Sequence, residues 1–273
     1  MKVYISPKIR KSIEKHLYSN MLFQDSLSPL ILGIFGPTGE GKTYQLEYVL
    51  NELGVSICEI GGGELENENA GHPAQILRTE YRKASEAQNP TVLVINDIDA
   101  IIGKWGDLTQ YTVNRQNVNV QLMDFCDHPF KVAGRPTKRI PIFITGNNPS
   151  ILYEPLKRPG RMRLMEWKPD IQEKIIIVSN IFESINPEII RMYVVAYPDR
   201  PVSFWSDLKS EIWEDKMLAF LHSKYSNQEL MSRIAFDKKL VIKNVNVTEN
   251  DIERYIHDVM DVSNKSYINQ SNY

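Results

Sequence analysis

"ILGIFGPTGEGKTYQLEYVLNELG", residues 31–54, is the stretch on which the reading of the whole chain turns. Residues 31–35 form an apolar run short enough for a buried strand, and residues 42–54 carry a helical pattern closed by Gly54. Between them "GPTGEGKT", residues 36–43, matches G-x-x-x-x-G-K-[ST] in full, at the strand-to-helix junction that this pattern requires. Its glycines let the backbone curl so that successive N–H groups and the helix N-terminus face one point, which favours an anion. Lys42 then reaches the outer phosphates of a nucleotide, and the Thr43 hydroxyl is placed for Mg²⁺. Gly36, Pro37, Thr38, Gly39, Glu40, Gly41, Lys42 and Thr43, followed by Tyr44, are the candidate ATP-binding residues.

Outward from the loop, strand and helix patterns alternate. "VSICEI" (55–60) reads as a strand, residues 73–88 as a helix with Pro73 in its first turn, and "TVLVIN" (91–96) as a third strand. A helix over 111–125 and strands over 139–146 and 163–168 complete an α/β unit whose parallel sheet is covered by helices on both faces. After Pro169 the pattern turns helical, so the expected division is a helical lead-in over 1–30, an α/β nucleotide-binding domain over 31–170 and a smaller α-helical lid over 171–273.

The third strand ends in "NDID", where nucleotide-hydrolysing sites usually carry their first acid, and here that place is taken by Asn96. Asn96, Asp97 and Asp99 emerge together at the strand edge and, with Thr43, are the candidate metal-side residues. The alternative for both acids is that they cap or solvate a loop.

Composition limits the partners. A net charge of -2 across 273 residues gives no overall attraction to nucleic acid or to an anionic membrane. No apolar stretch is long enough to span a bilayer. Two cysteines without a C-x-x-C pair suit a reducing compartment, and five histidines without ligand spacing give no expectation of zinc.

Residues 31 to about 168 resemble an AAA+ ATPase module and, within it, the Rubisco activase family. The likeness is carried by the phosphate loop and by "GGELENENAGHPAQILRTEYR" (62–82), "INDIDA" (95–100), "TQYTVNRQNVNVQLM" (109–123) and "ITGNNPSILYEPLKRPGRM" (144–162), and more weakly by "YPDRPVSFWSDLKSEIWED" (197–215). It implies that the amide at Asn96 is a family variant of the usual acid, that Asp97 polarises the attacking water and that Asn147 is the first sensor of the γ-phosphate. Asn148 is a neighbouring candidate, or simply opens a turn before Pro149.

The resemblance makes Arg158 and Arg161 arginine fingers for the adjacent subunit's nucleotide, although Pro159 departs from the family's acid there and the role of Arg163 stays open. Surface arginines on a Pro-Gly turn are the bland alternative. Lys209 stands where the family has a second sensor arginine, or is an exposed helix lysine. Channel loops fall at 61–71 and 103–114, where Leu65, Trp105 and Tyr111 either grip a peptide or pack beneath their loops, Tyr111 being the best grip candidate and packing the favoured reading for Trp105. Further implications are ATP and Mg²⁺ as cofactors, a hexameric ring of like chains, a protein client that includes Rubisco, and a cytosolic or stromal location without the extra N-terminal domain of plant activases. The competing functions are a nucleic-acid-associated loader and a low-turnover nucleotide-gated scaffold.

Overall fold

The computed structural model describes residues 3–23, 25–61, 71–99, 109–240 and 246–256, and of 109–114 the helical backbone alone. Leu65 and Trp105, and the side chain of Tyr111, lie outside the described residues, as do most of both expected channel loops.

The chain divides into two compact units, one of Ile5–Lys168 and one formed from Pro169 onward, which Tyr4 joins. In the first, a five-stranded sheet runs in the order β2 (Ser56–Ile60), β3 (Thr91–Ile95), β6 (Ile142–Gly146), β1 (Ile31–Phe35), β7 (Met162–Glu166). Every neighbouring pair is parallel. Such sheets need cover on both faces, and the three central strands are accordingly buried at every position. The outer strands β2 and β7 expose Glu59 and Glu166.

Period-two alternation splits the strand residues between two cores. Leu32, Ile34, Val92, Val94 and Phe143 meet Ile9, Ile13 and Leu17 of α1 (Pro7–Met21) and Leu46, Val49 and Leu50 of α2 (Lys42–Glu52). Ile31, Phe35, Leu93, Ile95 and Ile144 meet Leu77 and Tyr81 of α3 (His72–Glu86) and Val118, Leu122 and Phe125 of α4 (Thr109–Asp127). A fully buried Leu or Ile of this kind contributes about 1.5–3 kcal/mol. The expected lead-in helix is thus part of the α/β core.

Strand ends depart from the sequence reading by a few residues. Expected to begin at 139, β6 begins at Ile142. Pro141 has no N–H to donate, and the Ile140 N–H goes to the Tyr81 hydroxyl at 3.1 Å instead of to a neighbouring strand. A short hairpin of β4 (Lys131–Val132) and β5 (Arg135–Pro136), turning at Gly134 with φ 80°, was not expected.

The second unit is helical: α5 (Ile171–Ile181), α6 (Pro187–Ala196), α7 (Val202–Lys224), α8 (Asn227–Ala235) and helical residues 249–256. Asp170 and Glu173 form a capping box that starts α5, and Ser226 and Glu229 form another that starts α8. Val178, Phe182, Ile190, Val194, Trp205 and Ile212 are its central core. Among the described residues no helix is long and apolar enough to cross a membrane.

Candidate functional site

The carboxyl ends of β1, β3 and β6 lie side by side, so the residues after each strand converge at one edge of the sheet. From β1 comes the loop 36–41, pinned on both sides. Gly36 N–H donates to the Gly146 carbonyl at 3.3 Å, and the indole of Trp167 donates to the Glu40 carbonyl at 2.7 Å. A Cβ on Gly36 would stand 1.8 Å from the Trp167 carbonyl oxygen, so only glycine passes. Gly41 caps α2 in the left-handed region at φ 78°, with open space where a side chain would be. The first-turn amides of α2 have no carbonyl of their own helix to bind, which leaves them for an anion.

Lys42 follows at once and is 7% exposed. Its ammonium donates to the carbonyls of Gly36 and Pro37, both at 2.9 Å, and to Asn147 Oδ1 at 3.0 Å, which uses all three of its protons. Burial lowers its pKa, against the charges of Asp97, Asp99 and Glu40. Carbonyl acceptors can be exchanged for phosphate oxygens without moving the lysine far. This cradle, with hydroxyl, amide and carboxylate oxygens beside it, is the donor set that suits a nucleotide and a hard cation such as Mg²⁺. Among the described residues there is no group of three or more His, Cys, Asp or Glu placed to hold a metal ion.

Asn96 and Thr145 occupy the middle of the edge. Thr145 Oγ1 donates to Asn96 Oδ1 at 3.0 Å, and Thr43 Oγ1 lies 3.4 Å from both side chains. On its other side the Asn96 amide donates to Glu59 Oε1 at 2.6 Å. Neither Glu59 nor Thr145 was anticipated. Thr145 was legible beside the expected Asn147, whereas a single acid in the apolar run "VSICEI" gives no cue of its own.

Asp97 is exposed and sits at φ 51°, a left-handed backbone that Asp tolerates better than most residues, and its N–H donates to Thr145 Oγ1 at 3.2 Å. Asp99, expected on the metal side, accepts backbone N–H groups of both Asn147 and Asn148, the latter at 3.2 Å, and so holds the turn after β6. Asn148 accepts from Ser150 N at 2.9 Å and caps the 3-10 turn Pro149–Ile151. Pro37 and Thr38 are exposed at the mouth of the loop. Tyr44 faces solvent on α2, its ring centroid 6.3 Å from that of Tyr48, away from the contacts of Lys42.

The two expected arginine fingers behave differently within one chain. Arg161 forms a forked pair with Asp127 at the end of α4, with N–O distances of 3.0 and 2.6 Å, and also donates to the Pro155 carbonyl at 3.0 Å. Arg158 is exposed. Lys209 belongs to the helical unit, where its ammonium donates to the Ile181 carbonyl at the end of α5 at 2.6 Å.

The family described as "ATPase family associated with various cellular activities (AAA)" matches residues 32–170. A protein of Anabaena named ribulose bisphosphate carboxylase/oxygenase activase is 39% identical over 244 residues, covering 84% of this chain and 59% of that protein. The chloroplastic protein of that name from Solanum pennellii is 37% identical over 226 residues, 78% of this chain and 49% of its own length. The one from Chlamydomonas reinhardtii is 33% identical over 270 residues, 94% and 66%. This chain therefore spans about half to two thirds of the length of the curated relatives it matches.

Proposed function

Since this chain belongs to the family of AAA ATPases, we propose that it hydrolyses ATP at the edge formed by β1, β3 and β6 and uses the energy to remodel a protein client. Rubisco is the client that the names of its relatives point to, and the product would be Rubisco freed of inhibitory sugar phosphates. The observation that carries the reading is Lys42, buried and held by Asn147 across the sheet, at the first position of a helix whose first-turn amides have no partner in their own helix.

In this reading the loop amides and Lys42 bind the phosphates, the ammonium giving up the carbonyls of Gly36 and Pro37 as it does so. Thr43, Asn96 and Asp97 would hold Mg²⁺ directly or through water; when bound, the ion neutralises phosphate charge and orients the leaving group. Asp97, exposed at the strand end, orients the attacking water and accepts its proton as the bond to the γ-phosphorus forms and the bond to the departing ADP oxygen breaks. Asn147 stays in contact with the γ-phosphate through Lys42. Asp99 keeps Asn147 in place by holding its backbone N–H.

An arginine from a neighbouring copy completes the charge, in a ring that we take to be hexameric. Arg158 is the better finger, because Arg161 is already committed to Asp127. A finger supplied by a second chain makes turnover depend on assembly. The test is ATP turnover per chain across a range of protein concentrations, with the assembly state followed by light scattering. Specific activity that rises as assemblies form is expected. Turnover that is constant in a monomer refutes the shared site, and assembly with no phosphate release leaves a nucleotide-gated scaffold as the better account.

A further inference from the structure

We propose that Glu59 is a positioning residue for Asn96, holding the amide so that its oxygen faces the Thr43 hydroxyl and returning to the metal side the negative charge that an amide lacks. The inference rests on reading the edge as a Mg²⁺-nucleotide site.

Orientation is the first step. An asparagine amide presents a donor end and an acceptor end, and only the donor end can face a carboxylate. The 2.6 Å contact with Glu59 Oε1 therefore fixes which way Asn96 points. Its oxygen is left to accept from Thr145 Oγ1 at 3.0 Å and to face Thr43 Oγ1 at 3.4 Å. Asn96 is 7% exposed, so the wrong orientation would set its oxygen against a carboxylate with little water to separate them.

Charge is the second step. An amide that donates to a carboxylate is polarised, and its oxygen becomes a better acceptor for a cation or a cation-bound water. The arrangement parallels the way a carboxylate behind a ligating histidine raises the basicity of that ligand.

Placement explains why β2 supplies this group. In the ladder, Glu59 pairs with Val94 and Ile60 with Ile95, and Asn96 N–H closes the register on the Ile60 carbonyl at 3.1 Å. Glu59 is an exposed residue of an edge strand, and its carboxylate reaches the first residue beyond β3.

The experiment is titration of a fluorescent ADP into the full chain, in EDTA and in Mg²⁺, with melting temperature recorded for each variant. Glu59→Gln is expected to leave the EDTA affinity within about twofold and to reduce the tightening produced by Mg²⁺ by about tenfold, the lower end for loss of a group behind a metal ligand. Asn96→Asp sets two carboxylates in contact and is expected to lower the melting temperature. The pair Glu59→Gln with Asn96→Asp lets the introduced amide donate to the introduced acid, and both the melting temperature and the Mg²⁺ effect are expected to return.

Glu59→Gln with an unchanged Mg²⁺ effect overturns the proposal, as does a double variant no better than Asn96→Asp. Wild-type chain that binds ADP equally with and without Mg²⁺ overturns it while sparing the phosphate loop. Wild-type chain that binds no ADP overturns the nucleotide reading as well.

Discussion

The sheet edge and the arginine turn, both built by the α/β unit, are held in opposite ways. At the edge, Lys42, Asn96, Asp99 and Thr145 each find a partner on a different strand or the loop after it, so β1, β3 and β6 lock one another's functional groups within a single chain. At the turn, Arg161 ties the backbone down through Asp127 and leaves Arg158 exposed one turn away. In our proposal the contrast separates binding, for which one chain carries the phosphate-facing groups, from turnover, which waits for a second. Substitutions at the two places should therefore fail in different measurements.

The largest effect is expected from Lys42→Ala. It removes the cation that Gly36, Pro37 and Asn147 surround and leaves three acceptors turned toward a cavity with no donor. ADP affinity should fall by more than about a hundredfold and ATP turnover should be abolished, since a desolvated hydrogen bond to a charged group is worth about 1.5–3 kcal/mol and Coulomb attraction to phosphate adds to it. Direct titration measures this. Affinity within a few-fold of wild type would mean that the edge does not bind phosphate.

Next in size is the split between the two arginines. Arg158→Ala is expected to keep ADP binding and to lower ATP turnover by about a thousandfold, the scale of a lost arginine finger, with the concentration dependence of turnover lost too. Arg161→Ala breaks an ion pair whose side chains are 22% and 44% exposed. Solvent screens such a pair, so the stability cost is about 1 kcal/mol, read in a denaturant titration. If Arg161→Ala abolished turnover at unchanged stability while Arg158→Ala did not, the roles would be exchanged.

How much of this was legible in the sequence follows the same division. The loop 36–43 could be read directly because its chemistry is backbone chemistry, written in glycine positions and one lysine. The central strands were legible because burial on both faces demands unbroken apolar runs. The contact of Glu59 with Asn96 was not, since it depends on the register of β2 against β3 across 37 residues. The Arg161 to Asp127 pair spans 34 residues and needs the end of α4 to be placed first. The helices α6 and α8 are short, and their apolar faces are too brief to stand out. Their caps, Asn186 before "PE" and Ser226 with Glu229, were nonetheless readable signals.

The smallest effect tests the link between the two regions. Residues 147–158 run from the edge to the arginine turn, and Asn148 fastens their beginning by accepting from Ser150 N and donating its own N–H to Asp99. Asn148→Ala removes the cap alone, because the backbone bond to Asp99 survives. A cost of about 1 kcal/mol in stability is expected from a lost cap of this kind. Nucleotide affinity should stay as it was, since Lys42 contacts Asn147 and not Asn148. Turnover should fall by no more than a few-fold, through a turn that holds Arg158 less firmly. A loss of ADP affinity comparable to that of Lys42→Ala would show instead that the edge depends on the segment leading to the turn, and the two regions would have to be treated as one.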